Sequence, residues 1–182
     1  MHLNSSLFST AAPLQLKNQP SLINFPIEKQ MMSNWCWAAV TASLCRFYNG
    51  PPINQKQIVA KVKAKPICAT SPLIPFCNDT ANIGDALKSV GHLALPFDQA
   101  LPVQQTINEL TGGRPISCQL YLPSLGGGHA VIIYGAFADT GNKLMLRIAD
   151  PADGMLLVMP YQQLLNNYRN VQGQWIRSYT TH

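Results

Sequence analysis

An uncharged stretch, 30–45, carries the first clear period of the chain. From Cys36 the positions Ala39, Val40, Ser43, Leu44 and Phe47 recur at three- and four-residue spacing, as one face of a helix requires. Ser33 or Asn34 is the expected N-cap, and Asn49-Gly50-Pro51-Pro52 the expected stop. So little of this helix is charged that it belongs at the centre of the fold. A second helix is predicted over 54–64, with Ile58, Val59 and Val62 inward. A loop rich in proline and cysteine, 65–80, separates it from a third helix, 83–90, which stops at Gly91. A fourth, 103–110, stops at Gly112 and Gly113.

Past Gly113 the pattern changes. Segments 115–122, 129–137 and 143–150 are β-branched and aromatic, divided by Gly, Pro and Asn, and read as strands. A further strand is expected over 154–160, a short helix over 161–168 and a last strand over 173–179. Helices first and an antiparallel sheet afterwards is an α+β order. The expected organisation is an arm or tail over 1–24 and one domain over 25–182. In that domain a helical half, about 33–112, packs on a sheet half, about 114–182.

Composition agrees with one folded domain. The chain has 182 residues, 47% hydrophobic and 12% charged, which excludes a disordered chain. Its net charge of +5 is scattered. The densest basic group, 55–65, reads as the solvated face of the second helix. No aromatic residues interleave with its lysines, so nucleic acid is not the expected ligand. No run approaches the roughly 18 apolar residues of a membrane span, and no cleavable signal is visible. The expectation is synthesis in a cytoplasm, with any export by a route that reads no cleavable signal.

Five cysteines, Cys36, Cys45, Cys68, Cys77 and Cys118, are too many for two disulfides and too few for three. Cys68 and Cys77 flank a short loop, and spacing leaves open whether they pair. With no CxxC pair and with His92 and His129 isolated, neither a metal nor another cofactor is expected.

Cys36 stands between Trp35 and Trp37 at the start of the first helix. A buried cysteine is ordinarily a packing residue. A reactive one needs its thiolate favoured, as at a helix N-terminus beside an imidazolium, together with a base, a group orienting that base, and oxyanion donors. His129 opens an apolar strand directly after Leu125-Gly126-Gly127-Gly128, where glycines permit close approach. Asp150 ends the next strand, before the turn Pro151-Ala152-Asp153-Gly154. Gln30 precedes the helix, within reach of a site at its tip. Each of the four has an ordinary structural reading when taken alone.

Gln30-x5-Cys36-Trp37-Ala38, GGHAVIIYG over 127–135 and IADPADG over 148–154, in the order Gln, Cys, His, Asp, together resemble papain-like cysteine proteases. The likeness extends over about 25–163. It is nearest to the double-glycine leader peptidases of bacteriocin exporters and to the papain-like effector proteases of plant pathogens. The resemblance implies a papain-like α+β fold, Cys36 as nucleophile, His129 as general base and acid, Asp150 as its orienter and Gln30 as oxyanion donor. Trp35, Trp37, Gly127 and Gly128 are then expected walls of the substrate cleft. Trp175 is placed either over the histidine or in the core.

The third member departs from plant and animal papain-like enzymes, which use asparagine. The implied activity is cleavage of a protein substrate, with small residues at the scissile bond. The implied setting is that of an effector or toxin delivered into another cell, with an immunity or inhibitor protein as a second partner. Glutamine deamidation or transamidation through the same thioester, and a silent binding module, are the alternative readings.

Overall fold

The computed structural model describes residues 24–71 and 74–182. The expected arm over 1–24 lies almost wholly outside them. Helix α1, Cys36–Phe47, is buried nearly all round, as its lack of charge requires. Its buried hydroxyls are satisfied within the helix: Thr41 Oγ1 donates to the Trp37 carbonyl at 2.8 Å and Ser43 Oγ to that of Ala39 at 2.7 Å. Its one charge, Arg46, sits in the last turn, where a cation suits the helix dipole, and pairs with Glu28. Asn49 ends it in the left-handed region, and the Gly50 N–H returns to the Cys45 carbonyl at 2.9 Å.

Helix α2, Gln55–Val62, begins at a reciprocal capping box between Asn54 and Gln57. Helices α3, Ile67–Thr70, and α4, Ile83–Ser89, follow. Asn82 caps α4 through the Gly84 and Asp85 amides. Beyond them come β1 (Leu93–Phe97), α5 (Val103–Thr111), β2 (Ile116–Leu122), β3 (Gly127–Ala138), β4 (Leu144–Asp150), β5 (Met155–Pro160), α6 (Tyr161–Asn166), the short hairpin β6 (Asn167–Tyr168) and β7 (Val171–Gln172), and β8 (Gln174–Thr181). Six strands form an antiparallel sheet in the order β1-β8-β2-β3-β4-β5.

The sheet carries a core on each face. On one, Ala130, Ile132, Tyr134 and Ala149 pack against α1, α2 and α4. On the other, Leu120, Val131, Ile133 and Ile148 pack against α5 and α6. The expected division into a helical half and a sheet half is thereby corrected. Helix α5 lies across the sheet from α1, because its buried Ile107 and Leu110 face the second core. Strand β1, inside the expected helical half, joins the sheet at its edge. There Pro96, which lacks an N–H, removes no interior ladder bond.

The reading of the basic group over 55–65 as a solvated helix face is corrected too. Lys63 Nζ contacts Asp79 Oδ2 at 2.8 Å and donates to the Thr80 carbonyl at 2.9 Å, and Lys65 Nζ donates to the Phe76 carbonyl at 3.0 Å. These lysines fasten the loop before α4 and do more than solvate a face.

That loop holds the tip of α1. Cys77 is bonded to Cys68 in a disulfide. The Cys77 carbonyl accepts from the Trp35 indole at 2.7 Å, and the Asp79 carbonyl from that of Trp37 at 3.1 Å. Asn34 donates to Asn78 twice, from its N–H to Oδ1 and from its side-chain amide to the carbonyl, and the Asn78 amide donates to Ser33 Oγ at 2.8 Å. Neither Ser33 nor Asn34 is therefore the N-cap. Trp35 occupies that position without a side-chain cap, because the polar side chains before it are committed to the loop. Closing so short a loop removes unfolded-chain entropy worth roughly 2–3 kcal/mol. Reduction, or Cys77→Ala, is expected to lower stability by about that amount, read as a shifted denaturant midpoint with and without reductant.

Candidate active site

Register brings His129 and Asp150 together. Ile132 pairs with Ala149. Continued by one residue, Asp150 falls opposite Val131, and His129, two residues before Val131, lies diagonally on the same face. His129 Nε2 and Asp150 Oδ1 are 2.8 Å apart. Asp150 is 1% exposed, and each of its oxygens is occupied. The Ala152 N–H donates to Oδ1 at 2.9 Å. Tyr168 Oη and Arg169 Nη1 donate to Oδ2 at 2.7 and 2.9 Å.

Burial alone would push the Asp150 carboxyl up. The His129 hydrogen bond and charge outweigh it, with help from the Ala152 amide and the Tyr168 hydroxyl, and hold the group well below the usual carboxylate range.

Cys36 comes from the other core. The first helical bond of α1 runs from the Ala39 N–H to the Trp35 carbonyl, so the amides of Cys36, Trp37 and Ala38 have no intrahelical acceptor. The thiol is half-buried and lines the same cleft as His129 and Asp150, a space of about 330 Å³ also bounded by Gln30, Gly127, Gly128 and Arg169. Burial opposes the His129 imidazolium. Hydrogen bonds to Asp150 and Cys36, with their negative charge, overcome it and raise the pKa to about 9. With Nε2 held by Asp150, Nδ1 is the ring nitrogen left for the thiol.

A folded-state value above the ordinary 6.5 means that the pair stabilises fully below about pH 6.5 and fades as pH rises through about 9. Histidine-selective NMR is expected to place the His129 midpoint near 9. A midpoint at or below the ordinary value would remove the charged pair.

Gln30 borders the cleft, and its surroundings are specific. Its N–H donates to the Pro151 carbonyl at 2.7 Å, tying it to the turn after Asp150. Its Nε2 donates to the carbonyls of Met32 and Ser33 at 2.9 and 2.7 Å, and Oε1 is buried without a partner. An oxyanion role therefore requires one Nε2 proton to turn from a backbone carbonyl into the cleft.

The flanking residues divide. Gly127 and Gly128 line the cleft, and Gly127 has φ of +119°, a backbone that side chains rarely adopt. Trp37 borders a narrower space of about 80 Å³ beside Cys36, with Ile83 and Gly128. The expectation for Trp35 is corrected: it is fully buried, with its indole on the Cys77 carbonyl. Trp175 is a core residue stacked edge-on against Tyr161.

The ring beside His129 is Tyr168, its centroid 6.2 Å away. Sequence alone singles out neither Tyr168 nor Arg169; Tyr-Arg-Asn in a polar run carries no motif. His92 lies elsewhere, stacked on Tyr48. Cys45 and Cys118 are buried thiols pushed up by desolvation, Cys45 to about 11, and are packing residues. A larger open depression, about 440 Å³ near Glu28, Arg46 and Asn54, gathers no thiol or imidazole, and its carboxylate, Glu28, is paired with Arg46.

A half-buried thiol at a helix tip, an imidazole on a facing strand and a carboxylate behind it form an arrangement suited to acyl transfer. Comparison with family profiles matches residues 20–170 to the one described as "Papain-like cysteine protease AvrRpt2". The chain belongs to this family. A search of curated proteins finds no match. The chain is thus a papain-like cysteine protease, a hydrolase acting on protein substrates, and its mixed helices and antiparallel sheet agree with that fold.

Proposed function

We propose that this protease cleaves internal peptide bonds through Cys36, His129 and Asp150. The observation that carries the reading is the bond of 2.8 Å between His129 Nε2 and Asp150 Oδ1 in the cleft that Cys36 lines. The Cys36 thiolate, paired with the His129 imidazolium, attacks the scissile carbonyl carbon. Its oxygen takes the negative charge, met by the Cys36 N–H and by a Gln30 amide proton turned into the cleft. His129 gives its proton to the leaving amine as the C–N bond breaks, leaving a thioester. The neutral imidazole then takes a proton from water, whose oxygen attacks the thioester and releases the acid and the thiolate. Asp150 fixes the tautomer and orientation of His129 throughout.

The narrow space beside Cys36, about 80 Å³, supports small residues such as Gly-Gly at the scissile bond. Action inside another cell, as an effector or toxin restrained in its producer by a protein covering the cleft, is the biological reading. It rests on the family's effector character.

Proteins of a cell expressing the chain are compared with those of a cell expressing Cys36→Ala. New N-termini dependent on Cys36, with small residues at the break, are the expected result. Glutamine side chains gaining about one dalton with no new N-termini would mean deamidation.

A further inference from the structure

Arg169 is strained where it stands. The β6–β7 turn is made of two residues, Arg169 and Asn170, both left-handed with φ of +51° and +65°. A two-residue hairpin turn requires such angles, which Asn accepts readily and Arg does not. The turn is also seated against the sheet. The Gly173 N–H donates to the Asn166 carbonyl at 3.1 Å, and a Cβ on Gly173 would lie 2.5 Å from the Tyr121 carbonyl oxygen.

So held, the turn aims the Arg169 guanidinium into the cleft. It bonds Asp150 Oδ2 at 2.9 Å and Asp153 Oδ2 at 2.8 Å. Tyr168, the residue before it, gives its hydroxyl to the same Asp150 oxygen. Strain retained at a position whose side chain reaches the site is a pointer to a role there.

We propose that Tyr168 and Arg169 are positioning residues of this site: together they fill Asp150 Oδ2, which leaves Oδ1 for His129, and the guanidinium tempers the carboxylate's field on the imidazole. This rests on the reading of Cys36 and His129 as the reacting pair. The charged and titratable groups around His129 are Asp150 of β4, Cys36 of α1, Tyr168 of β6, Arg169 of the turn, and Asp153 of the turn after β4. Among the described residues that line this cleft, Arg169 is the cation besides the imidazolium. Without it the full charge of Asp150 acts on His129, and the imidazolium persists to higher pH. A more basic imidazolium gives its proton less readily to a leaving amine. The arginine therefore keeps the carboxylate ionised and aimed without making the histidine too poor an acid.

The test needs no substrate. In full-length chains, His129 is titrated by histidine-selective NMR, and the alkylation rate of Cys36 by iodoacetamide is followed against pH. In Arg169→Gln the His129 midpoint is expected to rise by about half a unit to one unit. Arg169→Lys, which keeps the charge, should return it most of the way. Tyr168→Phe, which keeps the charge, should leave it nearer the wild-type value. An Arg169→Gln chain that is folded by circular dichroism but has an unchanged midpoint would overturn the tuning role. A lowered midpoint would overturn it as well. The underlying reading fails separately: in that case Cys36 of the wild type alkylates no faster than in unfolded chain, and His129→Ala leaves its rate unchanged.

Discussion

Replacing Cys36 by alanine is expected to lower kcat/KM by about 10⁴–10⁶-fold and to leave the fold in place. The thiol is half-buried, so removing its sulfur opens only a small cavity at the cleft surface, worth about 1 kcal/mol or less. The loop bonds to Trp35 and Trp37, which hold the helix tip, do not involve the sulfur. His129→Ala should cost a comparable factor, because nucleophile and base act as a unit and their losses do not add. The measurement is turnover of a protein substrate identified from new N-termini, beside thermal unfolding of each variant. Cleavage by Cys36→Ala within tenfold of wild type would falsify the assignment of the nucleophile.

The second large effect is at Asp150, where substitution by either alanine or asparagine is expected to lower kcat/KM by about 10²–10⁴-fold. Alanine leaves the Tyr168 hydroxyl, the Ala152 amide and the His129 imidazolium without their acceptor, and the Arg169 guanidinium with Asp153 alone. Breaking a buried pair in this way typically destabilises by about 3–5 kcal/mol, and the exposure of Arg169 to solvent places this case at the lower end.

Asparagine is the sharper case, since plant and animal papain-like enzymes carry it as third member. Here both groups facing Oδ2 are donors. An amide nitrogen turned towards them meets two donors and satisfies neither. Turned the other way, it donates to His129 Nε2, which must then be unprotonated, and the ring proton moves to Nδ1 opposite the thiol. That tautomer cannot take the thiol's proton. Near-wild-type activity in Asp150→Asn would show that the donors on Oδ2 do not set the orientation of the carboxylate.

Much of the fold is legible in sequence where period and punctuation agree. Helix α1 starts and ends where its apolar period and the Asn-Gly-Pro-Pro stop place it, and β2 to β5 follow their Gly, Pro and Asn dividers. Strand β1 is missed because Leu-Ala-Leu-Pro-Phe lacks β-branched residues and contains a proline, which only an edge tolerates. The face on which α5 lies cannot be read from its own stripe. An amphipathic helix states that it has a partner and does not say which side of a sheet supplies it.

The same limit applies at the site. Cys36, His129 and Asp150 are found in sequence because each stands at an element boundary, and the structure brings all three to one cleft. Tyr168 and Arg169 escape because their place is set by a two-residue turn and a register, neither of which marks side chains as important. Trp35 is misplaced because neighbouring residues at a helix start point in different directions, and its indole follows the loop at Cys77.

The two cores also bear on when the thiol becomes dangerous. Cys36 belongs to the layer of α1, α2 and α4, whereas the imidazole and its carboxylate sit at the end of strands whose far face is a separate core. Contacts between segments so distant in the chain are late and slow to form. A nascent or partly folded chain therefore carries an ordinary cysteine, with no imidazolium beside it. On the proposed pairing of Cys36 with His129, reactivity arrives only when sheet and helices have closed on each other.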